Sequence, residues 1–123
     1  MERITGIGGV FLRAKDPDAL AAWYRDNLGV ELEAGGPYAR LRSKDGATMV
    51  WSLFPADTDY LGRREQQAMV NYRVADLDAM LTQLRAAGAK VDDAVDQEGF
   101  GRFGWAEDPD GNRFELWQAP DGQ

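Results

Sequence analysis

The chain contains neither histidine nor cysteine, so the commonest general base, the thiolate nucleophile and two of the main transition-metal ligands are all missing. Disulfides and Cys-ligated metal are excluded with them. Ser52 has no evident base to activate its hydroxyl, so nucleophilic catalysis finds no support. Carboxylate, guanidinium, amide and aromatic chemistry remain. These types recur at every second position in four segments: Phe11-x-Arg13, Ser52-x-Phe54, Asn71-x-Arg73 and Arg113-x-Glu115-x-Trp117. On a strand, side chains two apart share a face. A glutamate on such a face can act as general base while an arginine stabilises an enolate. Without proton transfer, aromatic walls with a few polar groups suit a small organic ligand.

The elements that must carry these residues follow from periodicity. Asp16-Pro17 reads as an N-cap followed by proline at the first helical position, with Leu20, Trp23, Tyr24 and Leu28 at helical spacing and Gly29 as the stop. A second helix starts at Asp76, carries Leu77, Met80, Leu81 and Leu84 on one side, and ends at Gly88. Polar faces remain for solvent: Asp18, Arg25 and Asp26 on the first, Asp78, Gln83 and Arg85 on the second. A strand is expected before each helix, over Ile7–Ala14 and Met69–Ala75. Three more follow each: Val30–Glu33, Tyr38–Arg42 and Thr48–Phe54, then Lys90–Ala94, Gly101–Glu107 and Arg113–Gln118. Gly35-Gly36-Pro37, Lys44-Asp45-Gly46, Glu98-Gly99 and Asp108 to Asn112 supply the turns.

The order is βαβββ twice, and the halves also match as sequence. At an offset of 60, Arg13, Asp16, Asp18, Ala19 and Arg25 meet Arg73, Asp76, Asp78, Ala79 and Arg85. At an offset of 65, Asp45-Gly46 meets Asp110-Gly111 and Pro55 meets Pro120. These identities fall on caps and turns, where backbone geometry constrains residue type. The expected fold is α+β: two tandem βαβββ modules, about 1–56 and 67–120, forming cupped mixed sheets with helices on the outer face of one domain. The connection from Pro55 to Gln66 is either a solvated linker or a lid with Tyr60 and Leu61 as its apolar contacts.

Composition narrows the partners. At 123 residues, 44% hydrophobic and 28% charged, the chain suits one globular core. A net charge of -7 with no basic cluster argues against nucleic acid and mildly favours a cationic ligand, although solubility alone accounts for many acidic chains. Met1-Glu2-Arg3-Ile4 opens without an apolar signal region, and no stretch reaches membrane-spanning length. A cytoplasmic protein without membrane contact is the expectation.

Asp16-Pro17 with Trp23-Tyr24 and Leu28-Gly29, then Arg73-Val74-Ala75-Asp76, then Asp108-Pro109-Asp110-Gly111-Asn112-Arg113-Phe114-Glu115-Leu116, make the chain resemble the vicinal oxygen chelate superfamily over essentially its whole length. That group includes glyoxalases, extradiol dioxygenases, fosfomycin-resistance enzymes and bleomycin-resistance proteins. The resemblance implies a cup whose metal, where one is used, is held by one side chain from the first and last strand of each module. The corresponding positions here are Gly9, Val50, Met69 and Glu115. Glu115 alone among them could ligate a hard cation, so neither the family metal nor another cofactor is expected.

With Glu115 facing into the cup, strand parity places Arg113 and Trp117 beside it and Phe114 and Leu116 towards the helices. Phe11 and Arg13, Ser52 and Phe54, and Asn71 and Arg73 are then inner-face residues. Glu115 is expected to pair with Arg13 or Arg73, or to meet the ligand. Trp51, with Met49 and Leu53, has core parity, whereas Phe103 and Trp105 could serve either side. Small members of the resembled group usually pair, so a homodimer is expected. The leading functional reading is a metal-independent small-molecule-binding protein that sequesters an aromatic or cationic compound. The alternatives are a lyase, isomerase or cyclase using Glu115 as general base, and a ligand-free regulatory module.

Overall fold

Two aspartates start the two helices. In the computed structural model, which describes residues 1–34 and 36–121, Asp16 is extended and accepts a hydrogen bond from the Ala19 N–H at 3.1 Å. Asp76 does the same for Ala79 at 3.0 Å. Each satisfies an N–H that the first helical turn leaves without a partner. Helix α1 runs Pro17–Leu28 and stops at Gly29, whose φ of 68° lies in the left-handed region that glycine enters at little cost. Helix α2 runs Leu77–Ala86.

The strands are β1 (Ile4–Ala14), β2 (Tyr38–Arg42), β3 (Thr48–Pro55), β4 (Ala68–Val74), β5 (Lys90–Val91), β6 (Asp96–Glu98), β7 (Gly101–Glu107) and β8 (Arg113–Gln118). Two compact units divide the chain: Gly9–Met69, and Met1–Gly8 together with the chain from Val70 onward. In the first unit the strand order is β2-β3-β1, with β1 and β3 parallel and β2 antiparallel to β3. In the second it is β4-β8-β7-β5, with β4 and β8 parallel, the other neighbours antiparallel, and β6 also on β7. The architecture is therefore α+β with mixed sheet pairing, as expected.

Two expected strands differ. Val30–Glu33 reduces to one bridge, Leu32 with Ala39, because Val30 and Leu32 are used instead to pack against the core. Gly35 of the expected turn lies outside the described residues. In the second half Lys90–Ala94 shortens to Lys90–Val91, and Asp96–Glu98 forms a strand that its Asp-Gln-Glu composition does not announce. β7 supplies the pairing for both.

Each unit has its own core on the helix side. Ala21 of α1 packs with Ala14, Ala39, Trp51 and Leu53, joined by Leu20 and Tyr24. Leu77, Met80 and Leu81 of α2 pack with Val74 and Leu116. A fully buried leucine such as Leu77 or Leu81 contributes about 1.5–3 kcal/mol. Trp51 and Leu53 take the core side expected from parity. Asp78, expected to face solvent, holds Arg102 of β7 through two hydrogen bonds of 2.8 and 3.1 Å. That bond from Arg102 keeps the Asp78 carboxyl below the usual carboxylate range.

Candidate ligand site

Register assembles the site residues into cross-strand rows. In the unit that contains β8, Asn71 of β4 and Trp105 of β7 flank Glu115. One step along, Arg73 and Phe103 flank Trp117 in the same way. Six side chains thus form two rows on one sheet face, the face opposite Leu116 and α2.

The first row is buried. Glu115 is 1% exposed and Asn71 2%. The Asn71 Nδ2 donates to Glu115 Oε1 at 2.5 Å, and the Trp105 indole N–H donates to Oε2 at 2.8 Å. A buried carboxylate needs such donors, since an unpaired one carries a desolvation penalty of several kcal/mol. Both donors here are neutral. Asn71 Oδ1 is buried without a hydrogen-bond partner and points at Gly8, where an added Cβ would stand 2.1 Å from it. Gly8 is therefore glycine because the Asn71 amide occupies the space of a side chain.

The second row is a stack. The Arg73 guanidinium lies over the Trp117 ring at 4.4 Å, and Phe103 lies parallel to that ring with centroids 5.9 Å apart. The Trp117 N–H donates to the Phe100 carbonyl at 2.8 Å. Beside this row opens a cleft of about 250 Å³ lined by Thr5, Arg73, Trp117, Gln118, Pro120 and Asp121, among others. Arg113 is engaged elsewhere: it pairs with Asp92 at 3.0 Å and sits 5.7 Å from the Trp105 ring.

The Gly9–Met69 unit holds the other named residues. Phe11 pairs in register with Ser52, and Arg13 with Phe54. Phe11, Phe54 and Tyr60 form an aromatic cluster, with Tyr60 stacked on Phe54 at 5.2 Å and 12°. Arg13 is not available to Glu115 as sequence reasoning allowed. Its five N–H donors meet the carbonyls of Ala56, Thr58, Gly62, Arg63 and Gln66 at 2.6 to 3.0 Å. Nor is the 55–66 segment a solvated linker, because Leu61 within it is fully buried.

The sequence leaves Phe103 and Trp105 undecided, and its Gly8-Gly9 pair signals a bulge or a close strand contact without naming Asn71 as the neighbour. The Asp110-Gly111 hairpin was the available signal for the first two, since its loop length sets which β7 residues oppose Glu115 and Trp117. Register also corrects the repeat alignment. Arg13 opposite Phe54 and Arg73 opposite Trp117 carry Glu115 onto Ser52, two residues from Val50. The shift is even, so parity survives it.

The metal implied by the resemblance does not fit these residues. Gly9 and Val50 offer no side-chain donor, Ser52 at the corrected position offers only a hydroxyl, and Met69 is a thioether. Glu115 already receives an N–H on each oxygen. Among the described residues no group of three Asp or Glu side chains could hold an ion.

This fold is that of the vicinal oxygen chelate superfamily. The profile of the glyoxalase-like domain matches residues 9–117, and the chain belongs to that family. The structure is similar to methylmalonyl-CoA epimerase from Mycobacterium tuberculosis, with 25% identity, a TM-score of 0.70, and coverage of 95% of this chain and 89% of the other. It is similar to a variant of methylmalonyl-CoA epimerase from Streptomyces coelicolor in complex with 2-nitronate-propionyl-CoA: 21% identity, TM-score 0.73, coverage 95% and 99%. A glyoxalase/bleomycin resistance protein/dioxygenase superfamily member from Vibrio splendidus 12B01 matches at 16% identity and TM-score 0.59, over 96% of this chain and 99% of the other. No curated protein sequence matches the chain.

Proposed function

We propose that this single-domain chain binds a small organic compound, aromatic or cationic, without a metal ion, at the cleft beside Arg73 and Trp117. The observation that carries this reading is the second row: an aromatic edge and a guanidinium meet in one concave site, with the Asp121 carboxylate on its rim. Trp117, 8% exposed, would meet a ring with the part of its indole that lines the cleft, and Asp121 would be the counter-charge for a cation. Tryptophan-quenching titrations against a panel of aromatic and cationic compounds test it. Saturable quenching that weakens at least tenfold, about 1.4 kcal/mol, in Trp117→Leu is expected. A flat response from the parent protein across the panel would sink the reading. Elemental analysis is expected to find no stoichiometric transition metal, and one tightly held equivalent per chain would overturn the metal-free part.

The second reading makes Glu115 the general base of a lyase, isomerase or cyclase. Its support is a fully buried carboxylate held in one orientation by Asn71 and Trp105, and a fold shared with epimerases. A base must come within about 3 Å of the proton it removes, and Glu115 is 1% exposed, so the sheet face over it has to open to admit a substrate. Proton–deuterium exchange into acidic C–H compounds, lost in Glu115→Gln, separates this reading from binding alone.

No helix among the described residues is long and apolar enough to cross a membrane. We place the protein in the cytoplasm as a homodimer with no nucleic-acid partner. Light scattering coupled to size exclusion should report twice the chain mass, and a monomer at micromolar concentration would contradict the dimer.

A further inference from the structure

We infer that the carbonyls of Ala56, Thr58, Gly62, Arg63 and Gln66 form a guanidinium-binding cage, and that Arg13 is its resident occupant. The latch makes the 55–66 segment a fixed wall over Phe54.

The chemistry is complete at the level of single atoms. Arginine carries five N–H bonds in a planar fork. Nε donates to Gln66 O at 2.8 Å. Nη1 donates to Ala56 O at 2.9 Å and Thr58 O at 2.6 Å. Nη2 donates to Gly62 O and Arg63 O, both at 3.0 Å. The main chain of Arg13 adds two bonds to Gln67, its N–H donating to the Gln67 carbonyl at 3.0 Å and its carbonyl accepting from Gln67 Nε2 at 2.9 Å. Arg13 is only 5% exposed. Among the described residues its charge is met by carbonyl dipoles, with no carboxylate in ion-pair contact. A chain path that turns five carbonyls towards one planar cation is a receptor for that cation's shape, and a lysine ammonium has neither the donor count nor the fork.

The cage has a consequence for the aromatic cluster. It holds the segment so that Tyr60 lies flat on Phe54 and Leu61 is fully buried. Lifting the segment breaks five charge-assisted hydrogen bonds together and wets Leu61. Phe54, expected from parity to be a ligand contact, has its ring covered by the chain's own tyrosine. The segment is thereby a wall over that face and not a gate.

Arg63 and Arg64 have exposed side chains, which makes trypsin a reporter. Cleavage there needs the backbone to leave the cage, so its rate follows the open population. The parent is expected to resist cutting at these two positions under native conditions. Arg13→Ala should be cut there at least about tenfold faster, since the open population rises with each lost hydrogen bond. Trypsin's own pocket takes a guanidinium, so N-ethylguanidinium at sub-denaturing concentration should restore resistance beyond its slowing of trypsin on an unstructured peptide. Ethylammonium should not. Arg13→Lys, which keeps the charge without the fork, should be cut like the alanine variant and gives a second folded test. The inference is overturned if the parent is cut at Arg63 and Arg64 as fast as an unstructured peptide. It is equally overturned if the alanine variant resists like the parent, or if ethylammonium protects as well as ethylguanidinium.

Discussion

Arg13 and Arg73 occupy the same place in the two repeats, three residues before an N-cap aspartate at the end of a first strand. Their fates differ. Arg13 is buried with all five donors on backbone carbonyls of the segment after β3. Arg73 is half-buried, lies over Trp117 and lines a cleft. The strand positions are equivalent, but the chain that leaves the partner strand is not. After β3 it folds back over the arginine, and the corresponding aromatic, Phe54, is covered by Tyr60. After β8, Ala119 to Asp121 border a cleft, and Trp117 keeps an edge on it. A duplicated strand pair thus yields one closed structural half and one half with a concave surface, and the difference lies in the path of the chain as it leaves the strand.

The largest effect is expected at the closed half. Arg13→Ala removes five hydrogen bonds and leaves the carbonyls of Ala56, Thr58, Gly62 and Gln66 without that donor, Arg63 keeping the Gln66 N–H. With most of these acceptors only part-buried, the loss should be about 3 kcal/mol. Arg73→Ala removes the stacking on Trp117 at a half-buried position and should cost less than Arg13→Ala. Urea denaturation of both variants measures the contrast, and equal losses would dissolve it.

Next in size comes Gly8→Ala. The new methyl meets Asn71 Oδ1 at 2.1 Å and Trp117 Cε3 at 2.9 Å, so both rows must shift. Overpacking of this kind costs about 1–3 kcal/mol, and the fluorescence of Trp117 should change with it. A variant with parental stability and spectrum would show that the rows are loosely held.

Glu115→Gln is expected to cost less, about 1 kcal/mol, near the lower end for a disturbed buried hydrogen bond. Asn71 can rotate its amide so that Oδ1, partnerless in the parent, accepts from the new amide N–H. Thermal unfolding tests the rescue. Glu115→Gln combined with Asn71→Ala leaves the new amide without that partner and should melt below Glu115→Gln alone, and equal melting would show that Asn71 does not turn to meet it.

The smallest effect is a pH dependence. Asp78 has its folded-state acidity strengthened by the hydrogen bond from Arg102. Its contribution is therefore present above the ordinary carboxylate range and lost as pH falls through the lower folded value. The pair is largely exposed, so the slope is slight and screened by salt. Asp78→Asn should flatten the acid side of the stability curve a little, and an unchanged curve would remove Asp78 from the account.

Much of this was legible from local chemistry. Asp16-Pro17 and Asp76 announce two helices because a cap and a fixed φ act within one turn, and the period of two in Arg113 to Trp117 sorts core from inner face without any partner strand. The same local logic weighs against the family metal ligands, since Gly9 and Met69 offer no hard donor and neither Val50 nor Ser52, the position that register gives, supplies more than a hydroxyl. Partner choice was not legible. Whether Glu115 meets Arg13, Arg73 or Asn71 depends on inter-strand register, and the repeat alignment misplaced its counterpart by two residues because turn lengths drift between the halves. The strand at Asp96–Glu98 has no intrinsic preference for extension and exists because β7 offers it a ladder. The Arg13 cage lies furthest from the sequence. Backbone carbonyls are present at every residue, so five of them facing one guanidinium leave no mark on residue type, and only the tertiary path of the 55–66 segment brings them together.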